Sequence, residues 1–235
     1  MLLRTLLIAL ILTLSTGCAT VKNWFGSSKN KAIEPAELVE IANPIDVDAA
    51  WSRNLGNGQE KLGLRQRPAI EGERIFVAND EGRVLALDIN SGDTVWDSEA
   101  VKTGKEGSRV FFWRREKIDA GLSGSPGVGN GMVVIGGRNG EVIAFDADGG
   151  AERWRAKVTS EVTATPLVTD GLVIVRSNDG RTFGLDPADG TRKWVFDRGI
   201  PALSVRGNGA PVSDGQLAYL GYDDGTVIAL RIEDG

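Results

Sequence analysis

Pro166 to Trp194 reads PLVTDGLVIVRSNDGRTFGLDPADGTRKW, and this stretch decides the fold class because it recurs. Pro126 to Trp154 reads PGVGNGMVVIGGRNGEVIAFDADGGAERW, and Pro68 to Trp96 reads PAIEGERIFVANDEGRVLALDINSGDTVW. A fourth copy, PVSDGQLAYLGYDDGTVIALRIEDG, runs from Pro211 to Gly235. The register holds without gaps. A glycine stands 14 residues after each proline (Gly82, Gly140, Gly180, Gly225), and six residues later comes Asp88, Asp146 or Asp186, with Arg231 in the fourth copy. Four further on is another glycine (Gly92, Gly150, Gly190, Gly235), and four beyond that a tryptophan closes three copies (Trp96, Trp154, Trp194). Self-similarity of this kind marks a repeat architecture.

Each copy reads as a short antiparallel sheet. Runs such as Met132-Val133-Val134-Ile135 and Leu172-Val173-Ile174-Val175 are brief, mostly β-branched and bounded by turn formers, as strands are. Glu81-Gly82, Asn139-Gly140, Asp179-Gly180 and Asp224-Gly225 lie between such runs. They predict two-residue hairpin turns, in which glycine and asparagine tolerate positive φ. In the longer Asp-x-x-x-Gly turns the carboxylate is placed to accept backbone N–H groups. The same place in every copy argues for turn architecture at Asp88, Asp146 and Asp186 rather than metal or acid–base chemistry. Trp96, Trp154 and Trp194 read as core residues burying large apolar areas, rather than as platforms for a quinone or sugar. A lone sheet leaves both faces bare, so consecutive copies must stack. Units of about 40–45 residues match a propeller blade. The reading is all-β, a β-propeller with about four blades present.

Composition narrows the function. Hydrophobic residues make up 41% and charged residues 25% of the chain, as in globular proteins. The net charge of −5 opposes nucleic acid as a partner, since phosphate neutralisation needs a basic surface. The spacer 97–125 between the first two copies carries RVFFWRR at Arg109 to Arg115. In an acidic chain it reads as a second contact surface or a loop over the propeller mouth. Histidine is absent, which removes the commonest general base and most zinc and triad chemistry. The single cysteine leaves no pair for an intrachain disulfide.

That cysteine belongs to the N-terminal pattern. Arg4 precedes an apolar run, Leu6 to Leu14 (LLIALILTL), too short to span a bilayer and typical of a signal peptide. Ser15-Thr16-Gly17-Cys18 follows and resembles the bacterial lipobox, in which the cysteine is acylated. Leucine usually stands three residues before the cysteine, whereas here Leu14 stands four before it and Ser15 takes that place. Several acyl chains on Cys18, at about 0.8 kcal/mol per buried methylene, would anchor the protein stably. Residues 1–18 read as the leader with its lipobox cysteine, 19–45 as a polar tether, and 46–235 as a partial propeller. Ala19 stands where many enteric inner-membrane lipoproteins carry aspartate, which implies the outer membrane, facing the periplasm.

The Ala-(Leu/Phe)-Asp-x-x-x-Gly-x-x-x-Trp signature is similar to the tryptophan-docking repeat of quinoprotein (PQQ) dehydrogenases and their non-enzymatic relatives. Together with the lipobox, the tether and a first Trp-x-x-x-Leu-Gly (Trp51, Leu55, Gly56), it resembles the BamB family, the lipoproteins of the β-barrel assembly (Bam) complex. The resemblance implies a scaffold with no enzymatic activity and no cofactor, assisting β-barrel folding and insertion by binding the POTRA domains of the barrel-forming subunit BamA. The family's binding loop, with a Leu-Ser-Leu-Arg-Gly core, maps to Leu203-Ser204-Val205-Arg206-Gly207 and implies partner binding by Leu203, Val205 and Arg206. The alternative is that Leu203 and Val205 fill a seam between blades. Two other functions compete: a PQQ-dependent dehydrogenase, whose quinone, calcium and frequent adjacent cysteine pair find no match here, and a generic cell-envelope ligand-binding lipoprotein. Relatives of this type have eight blades, which implies about half a propeller here. A four-bladed ring closed by the strand around Trp51 is the other possibility.

Overall fold

A computed structural model describes residues 48–56, 66–79, 82–100, 121–199 and 209–235. The chain divides into two units, Met1–Asp48 and Ala49–Gly235, and every described strand lies in the second. Cys18, the tether, Leu203, Val205, Arg206 and Arg109 to Arg115 lie outside the described residues.

The described residues form 15 strands in four antiparallel sheets and no helix. The first sheet is β1 (Ala69–Glu71), β2 (Arg74–Ala78), β3 (Arg83–Asp88) and β4 (Thr94–Glu99). The second is β5 (Gly127–Gly129), β6 (Met132–Gly136), β7 (Glu141–Asp146) and β8 (Glu152–Lys157). The third is β9 (Leu167–Val168), β10 (Val173–Arg176), β11 (Arg181–Leu185) and β12 (Arg192–Asp197). The fourth has three strands, β13 (Val212–Ser213), β14 (Leu217–Gly221) and β15 (Val227–Arg231). Every sheet runs in chain order, each strand paired to the next. Such meanders need only local connections, which suits a chain rich in turn residues.

The hairpins differ from the expected two-residue turns. In the second sheet Gly137 N–H donates to the Glu141 carbonyl at 2.8 Å, and Gly140 N–H to that of Gly137 at 3.1 Å. Residues 138–140 thus form a three-residue loop ending in a glycine at φ +75°. The pattern repeats at Ser177/Arg181 and Tyr222/Thr226. A tight turn followed by a left-handed residue matches the strand twist as well as a two-residue loop does, so the glycine's position is legible while the loop length is not.

Alternation along the strands explains the stacking. On β6, Val133 and Ile135 pack toward the first sheet, whereas Met132 and Val134 pack toward the third. On β7, Ile143 and Phe145 face the first sheet, and Val142 and Ala144 the third. A period of two therefore supplies both faces of one sheet. It also explains the continuous apolar runs, since a strand buried on both sides loses its polar positions. A third core, with Leu172, Ile174, Ala218 and Leu220, joins the third and fourth sheets.

Each of these seams holds one tryptophan. The indole N–H of Trp96 donates to the Ala147 carbonyl at 2.9 Å, that of Trp154 to Pro187 at 2.8 Å, and that of Trp194 to Ile232 at 2.9 Å. Each acceptor immediately follows the Asp (or Arg231) position of the next sheet's turn. The rings lie on that turn's glycine: a Cβ added at Gly150 would stand 2.6 Å from Trp96, at Gly190 2.6 Å from Trp154, and at Gly235 2.7 Å from Trp194. Within its own sheet each tryptophan opposes a small residue, Ala86, Ala144 or Gly184, so the ring is free to lean across to the neighbour. Trp51 repeats the arrangement on the first sheet, donating to the Ile89 carbonyl at 2.9 Å with its ring against Gly92.

Gly150 gives this geometry a test. Its φ is +72° and Trp96 leaves no room for a methyl group. Gly150→Ala should cost about 2–4 kcal/mol from left-handed strain plus overpacking. At Gly149 an added Cβ would meet only Asp146 Oδ1, at 3.6 Å, so Gly149→Ala should stay within about 0.5 kcal/mol of the parent. Urea unfolding of both variants checks this, and equal losses would contradict the docking geometry.

Candidate functional site

The repeated aspartates sit where their turns need an acceptor. Asp146 Oδ1 takes the backbone N–H groups of Asp148 at 3.0 Å and Gly149 at 2.7 Å. Asp88 does the same for Asn90 and Ser91, and Asp186 for Ala188. The backbone closes each turn from Gly92, Gly150 or Gly190 N–H to the aspartate carbonyl, presenting the next carbonyl to the docked indole. Their second oxygens take cations in two copies, Arg153 at 2.7 Å from Asp146 and Lys193 at 2.7 Å from Asp186. Among the described residues no group of three or more His, Cys, Asp or Glu is arranged to hold a metal.

These bonds hold all three carboxyls below their ordinary range. Backbone N–H groups of Ser91 and Asn90 lower Asp88; Arg153 and then Gly149 lower Asp146; Lys193 and then Ala188 lower Asp186. A carboxyl depressed in the folded state stabilises it above the unfolded value and loses that contribution as pH falls through the folded value. Acidification below about pH 4 should therefore lower the melting temperature. An Asp88→Asn, Asp146→Asn, Asp186→Asn triple variant should show a flatter acid limb. An unchanged slope in thermal melts across pH would contradict the assignment.

The seam between the third and fourth sheets differs from the other two. The chain leaves β12 through Arg198-Gly199 and is next described at Gly209, ahead of β13. Arg176, at the end of β10 and only 3% exposed, donates from Nη1 to the Gly209 carbonyl at 2.8 Å and to the Gly221 carbonyl at 2.9 Å. Its guanidinium lies 4.5 Å from the centre of the Tyr222 ring, and that of Arg198 lies 4.0 Å from the same ring. Arg198 Nη2 also reaches Asp224 Oδ2 at 2.5 Å. The buried Tyr222 hydroxyl meets no partner in good hydrogen-bond geometry among the described residues, with the Arg176 guanidinium beside it. Burial pushes the Arg176 guanidinium below its ordinary value, opposed by nearby Tyr222 and Asp223; arginine stays charged regardless. Nothing in the repeat signature pointed to this cluster. Its one signal is an arginine closing the apolar run Val173-Ile174-Val175.

Sheets stacked through docked tryptophans define a repeat protein of the β-propeller class. A family model described as outer membrane protein assembly factor BamB matches residues 39–111 and 98–235, and the chain belongs to that family. The BamB of Xanthomonas campestris pv. campestris is 48% identical over 235 residues, covering 99% of this chain and 56% of the relative. The Escherichia coli K12 protein is 37% identical over 236 residues, 99% of this chain and 57% of its own. The crystal structure of BamB from Moraxella catarrhalis superposes with a TM-score of 0.61 at 27% identity, covering 74% of this chain and 47% of that one. The chain thus spans little more than half the length of these sequence relatives.

Proposed function

We propose that the protein is a binding scaffold of the outer-membrane protein assembly machinery, anchored by a lipid on Cys18 and facing the periplasm, with no reaction of its own. The observation that carries this reading is the match to assembly factors along essentially the whole chain, 48% identical over 99% of it. The use of the repeated residues agrees with it. The three repeat tryptophans are spent on seams and the three aspartates on turns, so the periodic side chains that could have served a cofactor already have structural partners.

The partner-binding residues of this reading are Leu203, Val205 and Arg206, and the partner is the POTRA region of BamA. Two apolar side chains beside an arginine form a small hot spot of the usual composition, in which arginine is favoured and one truncation costs about 2 kcal/mol or more. Leu203→Ala and Arg206→Ala should each weaken binding to purified POTRA domains at least about tenfold, measured by calorimetry on the folded protein. Undiminished affinity in both would sink the assignment. Stoichiometric uptake of pyrroloquinoline quinone with Ca²⁺ would instead favour the dehydrogenase-like reading. For the anchor, Cys18→Ser should abolish incorporation of labelled palmitate and release the protein from the membrane fraction; retention would contradict it.

A further inference from the structure

The fourth sheet presents a face that the other three bury. Counted from the leading proline, positions 8, 16 and 18 turn toward the next sheet. They are Phe76, Val84 and Ala86 in the first sheet, Val134, Val142 and Ala144 in the second, and Ile174, Thr182 and Gly184 in the third. All nine are buried. In the fourth sheet the same positions are Tyr219, Val227 and Ala229. Val227 is 70% exposed, Ala229 is exposed and Tyr219 is only half-buried. Among the described residues β15 pairs with β14 alone, whereas its counterparts β3, β7 and β11 each carry an outer strand. Ala229 also keeps the place that opposes a tryptophan in the other sheets, where it is filled by Ala86, Ala144 and Gly184, although residues 211–235 contain no tryptophan.

The other end of the array carries the complementary parts. Ala49-Ala50-Trp51-Ser52-Arg53-Asn54 aligns with the outer strands Thr94–Glu99, Glu152–Lys157 and Arg192–Asp197, each with its tryptophan at the third place. Trp51 docks on the first sheet as those tryptophans dock on the sheets that follow them. Leu55, whose carbonyl accepts from Asn79 Nδ2 at 3.0 Å, stands where Ala100 and Val158 do. Segment 49–54 is therefore an outer strand by position, yet it joins no sheet among the described residues. Ile75 and Val77 of the first sheet stay half-buried, whereas their counterparts Val133, Ile135, Val173 and Val175 are fully buried against the preceding sheet.

We propose that the exposed face of the fourth sheet and the outer edge of β15 are a docking surface for a second molecule of this chain. Segment 49–54 of the second molecule becomes the fourth strand of the sheet, antiparallel to β15. The register of the other sheets sets its Trp51 opposite Ala229 and its Arg53 opposite Val227. The first sheet of that molecule then covers Tyr219 and Val227 with Ile75 and Val77, as the internal seams are covered. One molecule does not do this for itself: a ring of four sheets would bury both end faces, and neither Val227 nor Ile75 is buried. The occupant is the chain itself rather than an unrelated strand, because the tryptophan, the small residue opposite it and the apolar end faces all match in one register. The contact is head to tail, and two molecules joined at both ends leave no sheet edge open.

The test uses the full chain in detergent, with Cys18→Ser so that introduced cysteines stand alone. Light scattering across a dilution series should give the mass of two chains at high concentration and of one at low. Val227→Asp alters a mostly exposed side chain, so the single molecule should keep its circular dichroism spectrum. Its dimerisation should weaken at least about tenfold, because the contact would bury an unpaired charge. Arg53→Cys mixed with Val227→Cys should give a disulfide-linked pair under mild oxidation, since directly opposed strand residues lie within disulfide reach. Arg53→Cys alone should not, because a head-to-tail contact never brings a residue onto itself. A single-chain mass at every concentration would overturn the proposal, as would undiminished association of Val227→Asp. Bonding of Arg53→Cys to itself in place of Val227→Cys would overturn the register and the head-to-tail contact with it. Masses that keep growing beyond two chains would overturn the closed pair.

Discussion

An indole N–H donated across a seam to the carbonyl of the neighbouring sheet's turn, with the ring lying on that turn's glycine, is the constraint on which the rest of the fold depends. The strands within each sheet satisfy one another's backbone groups, but sheet-on-sheet packing by aliphatic side chains is non-directional and leaves neighbours free to slide or rotate. A directional bond of 2.8–2.9 Å at the outer strand of each seam supplies the missing specification. Its cost in sequence is visible: a small residue opposite the tryptophan, a glycine beneath it, and a turn whose carbonyl is presented at the right point. The Ala-x-Asp-x-x-x-Gly-x-x-x-Trp signature is the written form of these three demands.

The aspartate belongs to the same device at one remove. It accepts the N–H groups of the turn whose following carbonyl takes the indole N–H. In the fourth copy Arg231 takes its place, the turn still closes from Gly235 N–H to the Arg231 carbonyl at 2.9 Å, and the Ile232 carbonyl still receives Trp194. The side chain therefore reinforces a turn that the backbone already makes.

What was legible in the sequence was whatever repeats. The four sheets, the tryptophans on their outer strands and the positive-φ glycines of the hairpin and Asp-x-x-x-Gly turns (Gly82, Gly140, Gly180, Gly225; Gly92, Gly150, Gly190, Gly235) occupy fixed offsets from Pro68, Pro126, Pro166 and Pro211. What was not legible is whatever happens once, together with the exact length of the repeated hairpin loops. The docking of Trp51 on Gly92 was hidden because no Asp-x-x-x-Gly turn precedes that tryptophan. The hairpin loops carry one residue more than expected, since a left-handed glycine suits two loop lengths equally. The stack of Arg176, Tyr222 and Arg198 depends on contacts between separate copies, which no spacing rule encodes. Such exceptions lie where a scaffold would differentiate one seam from the others while keeping all of them closed.

The claim that the seams rest on docked indoles is open to direct measurement. In a ¹⁵N-labelled sample transferred to D₂O, the indole Nε1–H resonances of Trp96, Trp154 and Trp194, assigned by single Trp→Phe substitutions, should exchange orders of magnitude more slowly than a solvent-exposed indole, because each is bonded within a seam and each residue is no more than 8% exposed. Exchange of these three at the rate of free tryptophan would show that the rings are not docked, and the account of how the sheets are held together would be wrong.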